Sequence, residues 1–168
     1  MIESSNRIFS YAEIEAMTLG WADKRMIQNR RALKLWLTPV AEPPKGKAYD
    51  YRWPHVFEMV ISAELVKRGF THESATEAIR NRLRAASGRR GGWAADLKFS
   101  ELPEIDGRDC YWVMNVMPDQ HWGLVPGAVL ACWSQQEVGA AIADLDAALV
   151  LNVARVLREA RARLPAGE

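Results

Sequence analysis

Apolar side chains recur at helical spacing through the first half of the chain, and turn signals separate the segments. A Ser-x-x-Glu capping box opens a predicted helix at about Tyr11–Met17, and a glycine-containing turn leads into a second helix at about Lys24–Ala32. Two longer helices are predicted at about residues 54–68 and 71–86. Basic residues followed by Gly69 mark the end of the first of these two.

Between the second and third helices the pattern changes to alternation. Residues 33–38 alternate apolar and polar side chains and predict a strand, and residues 48–52 predict the returning strand. The loop between them, residues 39–47, contains prolines, a glycine and two lysines. The sequence therefore predicts a β-hairpin with a basic tip.

The second half of the chain predicts a smaller mixed region. A second capping box, Ser134 with Glu137, opens a helix that reaches about Leu145, and an apolar stripe over residues 149–164 predicts a final helix. Residues 147–151 also fit a short strand that leads into this final helix. Strands are predicted at 111–117, 122–125 and 129–133, with a turn at 118–120.

The two halves are separated by a glycine-rich segment at residues 87–92, where we place a domain boundary. The prediction is an α+β chain with one domain at residues 1–88 and a small α/β domain at residues 93–168. Charge segregates across the same segment. Residues 1–91 contain 16 Lys and Arg against 10 Asp and Glu, whereas residues 92–168 contain 6 against 11. A basic first half suits contact with a polyanion.

Composition narrows the class of protein. A hydrophobic content of 49% and a charged content of 26% are typical of globular proteins. No apolar run approaches the ~18 residues of a membrane helix, and the N-terminus lacks signal-peptide features. The two cysteines, Cys110 and Cys132, form no disulfide framework, so we expect a cytoplasmic protein without membrane contact. No common catalytic or nucleotide-binding motif occurs, and we expect no enzymatic activity and no cofactor.

The second predicted helix carries the strongest candidate chemistry. It is polar and basic and follows a turn, which is the arrangement that the DNA major groove accepts. Asn and Gln side chains pair with adenine and Arg with guanine, while lysines at a hairpin tip suit phosphates. The candidate DNA-binding residues are Lys24, Arg25, Gln28, Asn29, Arg30, Arg31, Lys45, Lys47, Tyr51 and Arg52.

Residues 8–86 resemble the MerR-type winged helix-turn-helix. The resemblance is carried by the entry at residues 9–14, by the basic second helix, and above all by the hairpin exit at 48–56. That exit leads into a helix with the ending L-x-x-x-G-F at residues 65–70. The resemblance implies a transcriptional regulator that binds operator DNA as a dimer, with a C-terminal helix forming the dimer contact.

The partners that follow from this interpretation are double-stranded DNA, a second copy of the chain and RNA polymerase. The apolar stripe at residues 149–164 is the predicted dimer seam, with packing inside the monomer as the alternative. A dimer would present two recognition helices to half-sites about 34 Å apart.

A small-molecule effector is a further candidate partner, because the second half is rich in tryptophan. Ordinary core packing is the alternative explanation for these rings. A metal site at Cys110, His121 and Cys132 is a weaker hypothesis, since the spacing matches no zinc pattern. The candidate pocket residues are Tyr111, Trp112, Trp122 and Trp133.

The sequence thus predicts a sequence-specific DNA-binding transcriptional regulator. Two alternatives stay open. One is an architectural or recombination accessory protein that bends DNA, and the other is a protein-interaction module built on a winged-helix scaffold. A DNA binder is expected to lose affinity steeply as the salt concentration rises, whereas the interaction module is not.

Overall fold

The computed structural model describes residues 7–33, 36–38, 40–86, 109–119 and 123–165, and these residues form an α+β fold. Among them, no helix has both the length and the apolar character needed to cross a membrane. The helices are α1 (Tyr11–Met17), α2 (Lys24–Ala32), α3 (Trp53–Val66), α4 (His72–Ala86), α5 (Gln135–Ile142) and α6 (Val153–Arg161), and the strands are β1 (Tyr111–Asp119), β2 (Gly123–Cys132) and β3 (Ala148–Asn152).

Side-chain caps set the starts of α1 and α2 where the sequence predicts them. The N–H of Ser10 donates to the Glu13 carboxylate at 2.7 Å, and the N–H of Glu13 donates back to the Ser10 hydroxyl at 3.3 Å. Asp23 accepts from the N–H of Met26 at 2.7 Å and starts α2. In the turn between α1 and α2, Leu19 is 61% exposed and has a φ of 56°.

The end of α3 and the start of α4 also follow their predicted signals. Gly69 adopts a φ of +98°, which a side chain would disfavour, and the N–H of Phe70 donates to the carbonyl of Leu65 at 3.3 Å. Thr71 then accepts from the N–H of Ser74 at 3.1 Å and caps α4. This sharp connection turns the chain back so that α4 packs on α3.

The predicted pairing of strands 33–38 and 48–52 is wrong for the described residues, among which no ladder joins these segments. Tyr51 pairs instead with Phe9, whose N–H donates to the Tyr51 carbonyl at 2.8 Å. The described rings of this region pack together instead, with Trp36 and Tyr49 both against Tyr51. Residues 34, 35 and 39 lie outside the described residues.

The tip of this segment does form the expected tight turn. The N–H of Lys47 donates to the carbonyl of Pro44 at 3.0 Å, and Gly46 between them has a φ of +86°. The turn therefore holds Lys45 and Lys47 close together on the surface, although the arms that carry it are irregular.

The second half forms an antiparallel sheet in the order β2-β1-β3. The strands predicted at 122–125 and 129–133 are parts of one strand, β2, whose register shifts opposite the Met114–Val116 step. The turn predicted at 118–120 is also wrong in part, because residues 118 and 119 belong to β1. The short-strand alternative for 147–151 is correct, since β3 leads directly into α6.

One hydrophobic core extends through both halves of the chain. Trp112 of β1 is fully buried and meets Phe57 of α3 edge-on, with ring centroids 6.1 Å apart. The sheet also packs on α4 through β2. The segment at 87–92, where the sequence places a domain boundary, lies outside the described residues. The described parts on its two sides share this core.

The C-terminal stripe packs within the chain, as in the alternative to a dimer seam, with Val153 and Ala160 buried and Leu149, Val156 and Leu164 partly buried. Val153, Leu157 and Ala160 are at most 3% exposed, because α6 packs on α1 and α3. The guanidinium of Arg163 also donates to the carbonyl of Met17 at 2.9 Å. The helical spacing of apolar residues in this stripe therefore marks the side of α6 that packs against the first half of the chain.

Candidate nucleic-acid interface

One face of α2 is polar and open to solvent. Lys24, Arg25, Gln28 and Asn29 are all exposed, and Ile27 beneath them is fully buried. These side chains are three or four positions apart in pairs, so they lie side by side on one face of the helix. The face therefore combines hydrogen-bond donors and acceptors on a helix that is fixed to the core. Its residues are four of those that the sequence predicts to contact DNA.

Arg30, which the sequence also predicts to contact DNA, is not on this face. Its side chain is 2% exposed, and its guanidinium lies 2.6 Å from the carboxylate of Glu58, which is fully buried in α3. The reason is geometric: Arg30 lies one turn after the buried Ile27, so both point inward. The predicted role of Arg30 in DNA contact is therefore corrected to an internal ion pair.

The buried carboxylate of Glu58 joins several elements around α2. Besides Arg30, it accepts the N–H of Leu37 at 3.1 Å, and Arg30 also donates to the Thr76 hydroxyl at 3.3 Å. Burial raises the pKa of Glu58, while the charge of Arg30 and the backbone donors act against that rise. The ion pair thus fixes α2 to α3, to α4 and to the chain that follows α2.

Tyr51, another predicted DNA contact, is 1% exposed and belongs to the core. Its ring lies among Tyr11, Trp36 and Tyr49, with centroid distances of 5.6, 5.7 and 6.5 Å. Burial is the main reason that the pKa of Tyr51 is raised, so its phenol stays neutral. Tyr51 therefore supports the candidate interface from beneath and cannot touch DNA itself.

The remaining predicted cations lie on the surface around α2. Lys45, Lys47 and Arg52 are exposed, the first two on the tight turn and the third at the start of α3. Arg31 is partly exposed, and its guanidinium carbon lies 3.8 Å from the centroid of the Tyr49 ring. The structure thus brings most of the predicted residues to the surface and removes Arg30 and Tyr51 from it.

Sequence reasoning missed two residues of this site, Glu58 and Tyr49. The available signal for Glu58 is that it interrupts the apolar run of residues 56–61 within α3, and a carboxylate in such a run needs a buried partner. For Tyr49 there is no such signal, because its contact with Arg31 depends on the irregular path of the chain between them.

A groove of about 590 Å³ runs between α2 and the start of α4. One wall is formed by Met26 and Asn29 of α2 and by Leu33 at its C-terminal end. Leu33 is 66% exposed. On the other wall His72 stacks on Trp21 with centroids 5.2 Å apart, and burial, followed by the charge of Arg30, lowers the pKa of His72. The sequence does not predict this groove, because its walls come from distant segments.

The candidate pocket of the second half is not assembled as predicted. Tyr111 and Trp112 are neighbours in β1, so their side chains point to opposite faces of the sheet, and Trp112 is a core residue. Trp133 is 38% exposed, and Trp122 lies outside the described residues. Tyr111 therefore does not share a face of the sheet with Trp112, and Trp133 is largely on the surface.

Cys110 and Cys132 are buried free thiols, and burial followed by the charge of Glu137 raises the pKa of Cys132. Within the described ranges, no three His, Cys, Asp or Glu side chains cluster in a way that could hold a metal ion. His121, the third residue of the metal hypothesis, lies outside those ranges.

No family model matches the chain, and no curated protein matches it.

Proposed function

We propose that this protein is a sequence-specific, DNA-binding transcriptional regulator of the winged helix-turn-helix type. The observation that carries the proposal is the exposed face of α2, where Lys24, Arg25, Gln28 and Asn29 are presented together. The opposite side of α2 is fixed to the core by the buried Ile27 and by the buried Arg30–Glu58 pair. A rigid polar helix is what direct readout in the major groove requires.

The roles of the exposed residues follow from their chemistry. Gln28 and Asn29 suit paired hydrogen bonds to adenine, and Arg25 suits the O6 and N7 atoms of guanine, each worth about 1–3 kcal/mol of discrimination. Lys24 can neutralise a phosphate beside the groove, and Arg52 can do the same beyond α2. Lys45 and Lys47, on the turn that serves as the wing, would contact the phosphate backbone.

The regulator is proposed to act in the cytoplasm as a homodimer, which would place two α2 helices on half-sites about 34 Å apart. Since the apolar face of α6 packs on α1 and α3, another surface is proposed for the dimer contact. RNA polymerase is the further partner that a promoter-bound regulator of this type would meet, and an effector would supply its signal.

A selection from random oligonucleotides tests the proposal, because a regulator should enrich a defined, symmetric site. With that site in hand, Arg25→Ala should relax the preference at one base position and cost about 1–3 kcal/mol. Lys45→Ala with Lys47→Ala should weaken binding to every sequence and reduce the slope of log K against log salt by up to about 2.

Arg155→Ala is the matched control, since it also removes an exposed cation but lies on α6, where it pairs with Glu159. It should leave the salt slope unchanged, well inside the ~0.9 that one phosphate contact contributes. Salt-independent or absent DNA binding would contradict the proposal and favour the protein-interaction module. Enrichment of no sequence, together with DNA bending, would favour the architectural alternative.

A further inference from the structure

The two cations at the ends of α2 are each placed against an aromatic ring. The guanidinium carbon of Arg31 lies 3.8 Å from the centroid of Tyr49, and Nζ of Lys24 lies 5.6 Å from the centroid of Tyr11. The first distance is a close stack, well inside the ~6 Å limit for such contacts, whereas the second is near that limit. Arg31 is therefore the more strongly oriented of the two.

The ring beneath Arg31 is itself held by the core. Tyr49 lies 6.5 Å from Tyr51, which is buried and packs on Trp36 and His55. The guanidinium of Arg31 is also close enough to Tyr51 to lower its pKa against the larger effect of burial. A long, flexible arginine side chain is thus kept in one orientation by two rings that do not move independently of the core.

An oriented arginine has a physical advantage in binding DNA. A free arginine side chain loses rotamer entropy when a phosphate or base fixes it, and this loss reduces the affinity. A cation seated on a ring face has already lost much of that freedom, while its outward N–H groups stay available for hydrogen bonds. Fixing the side chain on DNA therefore costs less than it would for a free arginine.

From this geometry we propose that Tyr49 is a positioning residue, which presents the guanidinium of Arg31 to DNA by stacking beneath it. The inference rests on the proposed function and deepens it, since it names a residue that acts on DNA through another side chain. Tyr49 contributes through its ring face, so the phenolic hydroxyl is dispensable.

The first experiment needs no DNA. The ring current of Tyr49 should shift the side-chain proton signals of Arg31 upfield in the NMR spectrum. The shift should persist in Tyr49→Phe and disappear in Tyr49→Leu. Unshifted Arg31 signals in the wild-type protein would overturn the proposal whether or not the protein binds DNA.

The second experiment is a double-mutant cycle on the selected DNA site. Tyr49→Leu should weaken binding about three- to tenfold, and Tyr49→Phe less than about twofold. In an Arg31→Ala background Tyr49→Leu should have no further effect, whereas in an Arg25→Ala background its effect should be undiminished. Tyr49→Met repeats the test if the leucine variant unfolds.

The outcomes separate the two proposals. Equal losses from Tyr49→Leu with and without Arg31 would show that Tyr49 supports the fold, and a loss in Tyr49→Phe would show that its hydroxyl contacts DNA itself; either result overturns the positioning role. The wild-type protein could instead enrich no DNA while the Arg31 signals are shifted as expected. That result would contradict the proposed function and, with it, the positioning role of Tyr49, but it would confirm the stacked geometry.

Discussion

Replacement of Arg30 by alanine is expected to destabilise the fold and not merely to weaken DNA binding. The substitution leaves the carboxylate of Glu58 fully buried without its cation, 2.6 Å from where the guanidinium had been. Loss of one partner from a buried ion pair costs about 3–5 kcal/mol. This is a large part of the ~5–15 kcal/mol that stabilises an ordinary domain.

Urea and thermal unfolding, followed by tryptophan fluorescence, measure this cost. For a chain of this length, a loss of 3–5 kcal/mol lowers the melting temperature by about 6–20 °C. Arg25→Ala is the matched control, because it removes an exposed arginine from the same helix and should change stability by less than about 0.5 kcal/mol. The double variant Arg30→Met/Glu58→Gln removes both charges yet keeps an acceptor for the N–H of Leu37, and it should recover at least half of the loss.

Equal stability of Arg30→Ala and Arg25→Ala would refute the reasoning. It would mean that Arg30 is not sequestered from solvent in solution, and it would return Arg30 to the set of residues that face DNA. Full stability of Glu58→Gln would have the same meaning, since an amide cannot neutralise a buried guanidinium.

Two further predictions concern a helix cap and a glycine. The pKa of Glu13 is lowered below 4.5, chiefly by the N–H of Ser10, so its stabilisation is present above pH 4.5 and is lost as the pH falls through the lowered value. Glu13→Gln keeps an acceptor for the N–H of Ser10 but removes the charge, so it should cost about 0.5 kcal/mol in urea unfolding at pH 7 and progressively less in acid; a cost independent of pH would contradict the role of the charge. Gly123→Ala should lower the free energy of unfolding by at least about 1 kcal/mol more than Gly20→Ala. Both glycines have a positive φ, but only at Gly123 would an added Cβ lie 2.5 Å from a backbone oxygen, that of Gly69. Similar melting temperatures for the two variants would show that the chain relaxes around Gly123.

Local signals predict the helices of the first half well. The caps at Ser10 and Asp23 and the glycine ending at Gly69 are interactions between residues a few positions apart, so the sequence contains both partners. The bounds of α1 and α2 are confirmed for this reason.

Long-range pairing accounts for what the sequence does not predict. The alternation over residues 33–38 suggests a strand, yet Tyr51 pairs with Phe9, more than forty positions away. The arginines of α2 have the same chemistry; helical spacing puts Arg30 on the side of Ile27, but its partner Glu58 lies on another helix, so the sequence does not indicate the ion pair. The stripe of α6 is likewise correct as a pattern, but a pattern does not say whether the surface that covers it belongs to the same chain.

The shared core has a consequence for how the protein could respond to a signal. Since Trp112 of the sheet and Phe57 of α3 are buried against each other, the described halves are expected to unfold together. Any molecule that binds only the folded sheet then stabilises the whole chain by RT ln(1 + [L]/Kd). Such a molecule would stabilise α2 in its place on the core without contacting α2 or changing its shape.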